Sequence, residues 1–344
     1  MMTSRERIKA VMSGRMPDRP PWLEFGFHTD IAEKIIGHKM PRISTGFHPD
    51  EDLARYSGEL DSLIEAVQKV GIDTVWLKHW GSSYGNFSGL KGTSDEGGII
   101  KNIEDWQNAL TYIPDPKNTA WYKCVEIFVE RVRKTDLAMG FTANLCLEDT
   151  LRAFGFSNFC MSVYDNPDLI KIVLDWYVSN NRRIVRDFFK YEPDIIVLGD
   201  DIAFGTGPFV SPKDFRNLFL PRMKLVAQEC VIPWVYHSDG NLLPVMEDIL
   251  SLGMIGLHPI EPYGTMDIVE IKKRFGNRII PVGNLDMNII ANGNTTDISN
   301  GVTELFKSVG FDGRWIMASS NSVDKGANIQ NLYAIGNTLK ELKY

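Results

Sequence analysis

Cysteine is scarce in this chain: four in 344 residues, at 124, 146, 160 and 230, and never in a CxxC spacing. That excludes a disulfide framework and a zinc-ribbon site. No run of 18 apolar residues occurs, and the N-terminal MMTSRERIKAVMSG is charged without a signal-type apolar stretch. Neither a membrane span nor a secretory leader is therefore expected, and a reducing cytoplasm is the default location. Positive charge is not in excess either. Lys plus Arg total 37 against 44 Asp plus Glu, a net charge of −7, which leaves no footprint for nucleic acid and no polybasic membrane patch. Phosphate-cradling signals are missing too, since no GxGxxG follows a strand-like run and no GxxxxGK[ST] occurs. What remains is ordinary globular composition, 44% hydrophobic and 24% charged, in a chain long enough to bury a core unaided.

The chain opens on helix signals. Thr3 and Glu6 have capping-box spacing, and Ile8, Val11 and Met12 form one apolar face before Gly14. The turn MPDRPPW, 16–22, cannot be helical and leads into a strand-like run over 22–28 that carries Glu24 and His28 towards its end. Further strand candidates lie at 74–77, 138–142, 195–198, 234–237, 254–257, 279–282 and 315–318. Helical patterns fill 52–70, 121–134, 167–191, 212–228, 242–251, 267–275 and 297–309. Eight strand runs separated by helices predict an α/β fold, a (β/α)8 TIM-type barrel with an N-terminal helix. The Gly-rich stretch 81–102 reads as an insertion after the second strand. No repeat or linker divides the chain, so residues 1–344 are expected to form a single barrel domain.

In such a barrel the strand ends carry the chemistry. Here the ends supply Glu24 and His28, then Lys78, His79 and Trp80, then Asn144, Glu148 and Asp149. The later strands bring Asp200 and Asp201, then His237, Asp239 and Asn241, His258 and Glu261, Asn284 and Asp286, and finally Ser319 to Ser322. Several have a structural alternative. Asp200-Asp201 also reads as a loop cap, His258 as a satisfied histidine before a proline, and His79 and Trp80 as core. Two adjacent carboxylates beside an apolar barrel need donors, a cation or a shared proton. Glu24 within an aromatic run needs a partner or a raised pKa. The pair His237-Ser-Asp239 is the sharpest feature, because residues i and i+2 beyond a strand face one side and can bind a metal or relay a proton. Asp239-Gly240-Asn241 is also a good turn.

Taken in order, the segments SRERIKAVMSGRMPDRPP, DNPDLIKIVLDWY, IIVLGDDIAF with FVSPKDFRNLFLPRMK, WVYHSDGNLLPVMEDILSLGMIGLHPIEP and FGNRIIPVGNLD resemble the uroporphyrinogen decarboxylase superfamily across essentially the whole chain. The resemblance implies a (β/α)8 barrel. True decarboxylases of the family carry an arginine-rich N-terminal segment that holds substrate carboxylates, an aspartate after the second strand and a late histidine. This sequence has Phe25-Gly-Phe-His28-Thr-Asp30 and Lys78-His79-Trp80-Gly81 in the first two places, and its last histidine is His258. The other branch, corrinoid-dependent methyltransferases, is the closer likeness. Its thiol-directed members place a zinc-binding His-x-Cys after strand five and another Cys after strand eight. Here those segments read His237-Ser238-Asp239 and Ala318-Ser319-Ser320-Asn321, so the histidine is kept and the usual cysteine ligands are missing.

The expectation is thus a methyltransferase moving a methyl group between a small methylated substrate, of ether, amine or thiol type, and a corrinoid (cobalamin) on a separate protein. The alternatives are a decarboxylase of a porphyrinogen-like substrate and a non-catalytic tetrapyrrole- or corrinoid-binding barrel. His237, Asp239, Asp201 and Asp200 are the expected catalytic residues. Glu24, His28, Trp80, Glu148, Glu261, Asn284 and Ser320 are expected to contact substrate. If zinc binds, the set is His237, Asp239 and a further carboxylate, Glu148 first, with Asp201 and Glu261 open. Without a metal, His237 with Asp239 or Asp201 would protonate the leaving group. No nucleic-acid or membrane partner is expected, and the pattern leaves a homodimer open.

Overall fold

The structure, a computed structural model, describes all residues except 27, 42–48, 79–97, 112–118 and 263–264. Most of the predicted insertion, and with it Trp80 and His79, lies outside the described residues. Eight strands are seen: β1 (Thr74–Lys78), β2 (Ala138–Asn144), β3 (Ile195–Gly199), the two-residue β4 (Ala203–Phe204) and β5 (Gly207–Pro208), β6 (Trp234–His237), β7 (Gly256–His258) and β8 (Ile280–Pro281). Six form one parallel sheet in the order β1-β2-β3-β6-β7-β8, while β4 and β5 pair as a small antiparallel hairpin. The first and last predicted strands survive as isolated parallel bridges, Val282 to Ile316 and Trp22 to Met317. Trp22 O accepts from Asp73 N at 2.8 Å, immediately before β1. Backbone pairing therefore passes from β8 through residues 316–319 and 21–24 back to β1, joining the two edges of the sheet.

Alternation along the strands sorts the core into two clusters. Ile195 and Val197 face inwards with Val235, Ile280, Val282, Ile316 and Ala318, whereas Ile196 and Leu198 pack outwards beneath the helices. Side chains one residue apart leave opposite faces of a strand, so a strand covered on both sides reads as a continuous apolar run. Ile8, Val11 and Met12 of the first helix, Ser4–Met12, complete the inner cluster. That helix has its capping box from Thr3 and Glu6. Arginines tie the same end shut: Arg7 and Arg19 meet the buried Asp73 at 2.7 and 3.0 Å, and Arg5 meets Asp194 at 2.9 Å. Asp73 and Asp194 immediately precede β1 and β3, so this is the N-terminal end of the barrel. The C-terminal end is left for a site.

Helices the sequence pattern did not announce include Thr29–Ile36, Ile103–Leu110, Leu147–Phe154, Phe156–Asp165, Met287–Asn292 and Ile329–Glu341. The first begins at His28, whose ring caps it in place of the usual Ser, Thr, Asp or Asn, and stops at Gly37 with φ +82°. The predicted helix over 212–228 contains a wider turn at Phe215–Phe219, just before Pro221, which has no N–H to continue the ladder. Among the described residues no helix is long and apolar enough to cross a membrane.

Candidate active site

Parallel register builds the centre of the site. His237 closes β6 and pairs directly with His258 at the end of β7, which brings their Nδ1 atoms to 2.7 Å. One of the two must donate and the other accept. His258 is 4% exposed, and burial, reinforced by the charge of His237, holds its pKa well below the ordinary value. It is therefore a neutral partner that fixes the ring of His237. Phe25 presses edge-on against His258 with centroids 4.6 Å apart, and also meets Trp76 at 4.5 Å and His237 at 5.7 Å.

Carboxylates gather on the other side of His237. Its Nε2 lies 3.8 Å from Asp201 Oδ1, and the same oxygen accepts from Asp239 N at 2.9 Å. Burial, and next the Asp201 carboxylate, raise the pKa of Asp239 to about 6. Asn321 Nδ2 reaches Asp239 Oδ2 at 3.2 Å and Glu261 Oε1 at 3.4 Å, and Gly240 N donates to Glu261 Oε2 at 3.0 Å. Gly240 has φ +83°, and a Cβ there would stand 2.4 Å from the Ala203 carbonyl oxygen. The Asp-Gly-Asn turn is thus required by the approach of β4, and it presents Asp239 to the cluster. Asp239 Oδ1 is shut from solvent without a hydrogen-bond partner. Ligand atoms of Asp201, His237 and Asp239 all lie within 4.8 Å of one another. Two carboxylate oxygens, an imidazole nitrogen and an orphaned buried acceptor suit a divalent cation such as zinc or a harder first-row metal.

Other expected site residues are placed elsewhere. Glu148 is not beside Asp239. It forms an ion pair with Arg152 and accepts only a long bond from Asp201 N at 3.5 Å, because it sits in the first turn of Leu147–Phe154 and its i+4 neighbour claims it. The third member of the cluster, beside His237 and Asp239, is Asp201. Asp200, the preceding residue, points the other way. Fully buried, it accepts from the backbone N–H groups of Cys146, Leu147 and Glu148 at 2.8, 2.8 and 3.2 Å. Its carboxylate thereby caps that helix. Glu24 is 6% exposed and occupied by Trp22 and Ser319, so it does not line an open pocket. His28 caps Thr29–Ile36 through Asp30 N. Asn284 is buried and donates to Ile260 O at 2.6 Å, and Ser320 Oγ accepts from Met287 N at 3.2 Å. Trp80 lies outside the described residues. The cluster also uses His258 and Asn321, named among the strand ends but not among the expected catalytic, substrate-binding or metal residues, and Phe25. Their signal was weak, since only the β6–β7 register and the closure of the sheet bring them to His237 and Asp239.

A model of the uroporphyrinogen decarboxylase (URO-D) family matches residues 96–342. Among curated proteins, uroporphyrinogen decarboxylase from Coxiella burnetii (strain RSA 493 / Nine Mile phase I) is 22% identical over 180 residues, 50% of this chain and 47% of that protein. Uroporphyrinogen decarboxylase 2, chloroplastic, from Oryza sativa subsp. japonica is 20% identical over 235 residues, 64% and 57% of the two chains. The chain thus spans about half the length of the curated relatives it matches. Among solved structures, a methyltransferase from Methanosarcina mazei superposes with a TM-score of 0.76 and 17% identity over 99% of both chains. A B12-independent methionine synthase from Shewanella sp. W3-18-1 gives a TM-score of 0.57 and 10% identity over 86% of this chain and 88% of that one. At these identities the superpositions show the barrel-type fold.

Proposed function

Since the chain belongs to the uroporphyrinogen decarboxylase (URO-D) family, we propose that it is a methyltransferase of that family, moving a methyl group between a small ether or amine substrate and a corrinoid on a separate protein. The observation that carries this reading is the Asp201–His237–Asp239 cluster at the C-terminal strand ends. Of the four arginines of the N-terminal segment, Arg5, Arg7 and Arg19 are bound to Asp194, Asp18 and Asp73 at the opposite end of the barrel, and Arg15 bonds to Ser13 Oγ at 3.0 Å. A substrate with many carboxylates needs several guanidinium forks at the mouth, and the arginine of that end near Asp201, Arg152, is paired with Glu148. The fold likeness to the Methanosarcina mazei methyltransferase points the same way.

Breaking a methyl–oxygen or methyl–nitrogen bond by transfer of the methyl cation leaves the electron pair on the leaving atom, which then needs a proton or a cation. A divalent ion bound by Asp201, His237 and Asp239 would supply Lewis acidity there. His258 would hold the His237 ring by its Nδ1, the usual arrangement behind a metal-binding histidine. In a metal-free cycle Asp239, with its pKa near 6, keeps a protonated fraction close to neutrality and can give its proton to the leaving atom. No thiolate joins the cluster: Cys124 and Cys146 are buried, and burial raises both thiols. This favours oxygen or nitrogen substrates over thiols. Phe204 stands 53% exposed on the β4–β5 hairpin, beside the Gly240 turn, an apolar contact on the rim for a docking protein.

The test is a screen of methyl ethers and methylamines with cob(I)alamin as acceptor, followed by cobalamin absorbance with and without chelation. Demethylation lost with His237→Ala and with Asp201→Asn supports the assignment. Turnover of uroporphyrinogen, or methyl transfer indifferent to both substitutions, overturns it. Sensitivity to chelation selects the metal version over the proton-donor version.

A further inference from the structure

Glu24 lies outside the cluster that the proposed reaction uses, and its hydrogen bonds do not add up if it is ionised. Oε1 accepts from Trp22 Nε1 at 2.8 Å and from Ser319 N at 2.9 Å, while Oε2 lies 2.5 Å from Ser319 Oγ. Ser319 Oγ is also in hydrogen-bond contact with the carbonyl oxygen of Asn321. A hydroxyl has one hydrogen, and neither a carboxylate nor a carbonyl oxygen can donate. Two acceptors would compete for a single proton. A protonated Glu24 removes the conflict: it donates from Oε2 to Ser319 Oγ, and the serine hydrogen goes to Asn321 O. Oε1 stays free to accept both N–H groups.

We infer that Glu24 is the protonated head of a buried chain, Glu24 to Ser319 to Asn321, which holds the Asn321 side chain between Asp239 and Glu261. The loop geometry continues the chain, because Asn321 Oδ1 accepts from Ser322 N at 2.7 Å while its amide faces the two carboxylates. Burial acts in the same direction, pushing the Glu24 carboxyl up to about 7 against the pull of its three hydrogen bonds. Charged groups on the adjoining segments are spoken for and do not cause this. Arg19 and Asp73 bind each other at the barrel's far end, Asp286 caps the Met287–Asn292 helix, and Asp239 and Glu261 lie beyond Asn321. Loss of the proton turns the serine hydrogen towards Glu24 and leaves Asn321 O without its donor. Glu24 is thus a positioning residue, and the chain operates whichever reaction the site performs.

Hydrogen exchange of the 319–323 segment in the full-length protein, corrected for intrinsic base catalysis, tests this between about pH 5.5 and 8.5, either side of the neutral range. Wild type should lose several-fold protection with a midpoint near 7. Glu24→Gln, whose amide oxygen and NH2 reproduce each acceptor and donor of the protonated head, should stay protected throughout. Ser319→Ala, which cuts the chain, should be unprotected at every pH. A component of the protonated-carboxyl band in pH-difference infrared spectra, beside that of the buried Asp149, should titrate with the same midpoint and be missing in Glu24→Gln. A pH-independent wild type, a Glu24→Gln protein that follows the wild-type fall or does not fold, or no titrating carboxyl band would each overturn the inference.

Discussion

Replacing Asp200 by alanine separates a capping carboxylate from a catalytic one. In the structure its two oxygens take three backbone N–H groups at the start of Leu147–Phe154, and Asp200 has no exposed surface. Losing an N-cap costs about 0.5–2 kcal/mol, and each buried donor left without a partner adds about 1–3 kcal/mol, less where water enters the space vacated. Water reaching part of that space brings the sum to roughly 3–5 kcal/mol, at the severe end for single substitutions. An unfolding entropy of about 2.1 cal/mol/K per residue over 344 residues gives roughly 0.7 kcal/mol per degree. The Asp200→Ala melting temperature should then fall by about 4–7 °C, and Asp200→Asn, whose amide oxygen still accepts, should fall by less. Differential scanning calorimetry measures this directly. A melting temperature within about one degree of wild type, combined with lost divalent-metal binding or methyl transfer, would refute the capping role and restore Asp200 to the reacting set.

Three other outcomes are expected. Glu24 is pushed up to about 7 by burial when folded, from an ordinary value near 4.5 in the unfolded chain, so its stabilising contribution is complete below about pH 4.5 and is lost as pH rises through 7. The whole fall is about 3 kcal/mol, and denaturant unfolding at several pH values should show Glu24→Gln without that component. His258→Phe keeps a ring against Phe25 but removes the hydrogen-bond partner of His237 Nδ1, so calorimetric affinity for Zn(II) or Co(II) should weaken about 10–100-fold. Asp239→Asn removes a carboxylate that belongs to the cluster and keeps one buried oxygen unpartnered, and its loss of metal affinity should exceed that of His258→Phe. Equal binding by wild type and Asp239→Asn would remove Asp239 from the ligand set.

The sequence carried the barrel well. Strand runs and amphipathic helices alternate because parallel strands are covered on both faces while helices expose one, and the eight runs sit where the sheet and its bridges lie. It carried His237 and Asp239 for a related reason, since two polar residues separated by one immediately beyond an apolar strand share a side, and Asp-Gly-Asn turns sharply. What it did not carry is how neighbours divide their work. Asp200 and Asp201 are adjacent and chemically identical, yet one caps a helix from β2's connection and the other faces His237. Their separation depends on where β2 and β6 lie against β3. Glu148 looked equally fit to bind a metal until its place in a helix gave it to Arg152.

By itself the sequence determined the period of its elements, the number and spacing of its four cysteines, and the likeness to one enzyme superfamily, because each is written in local order. Only the tertiary structure decided that His258 backs His237, that Asp201 rather than Glu148 completes the cluster, and that Glu24 must hold a proton. Those depend on register between distant strands, on burial, and on one serine hydrogen shared between groups 295 residues apart and a neighbouring carbonyl, none of which a linear pattern records.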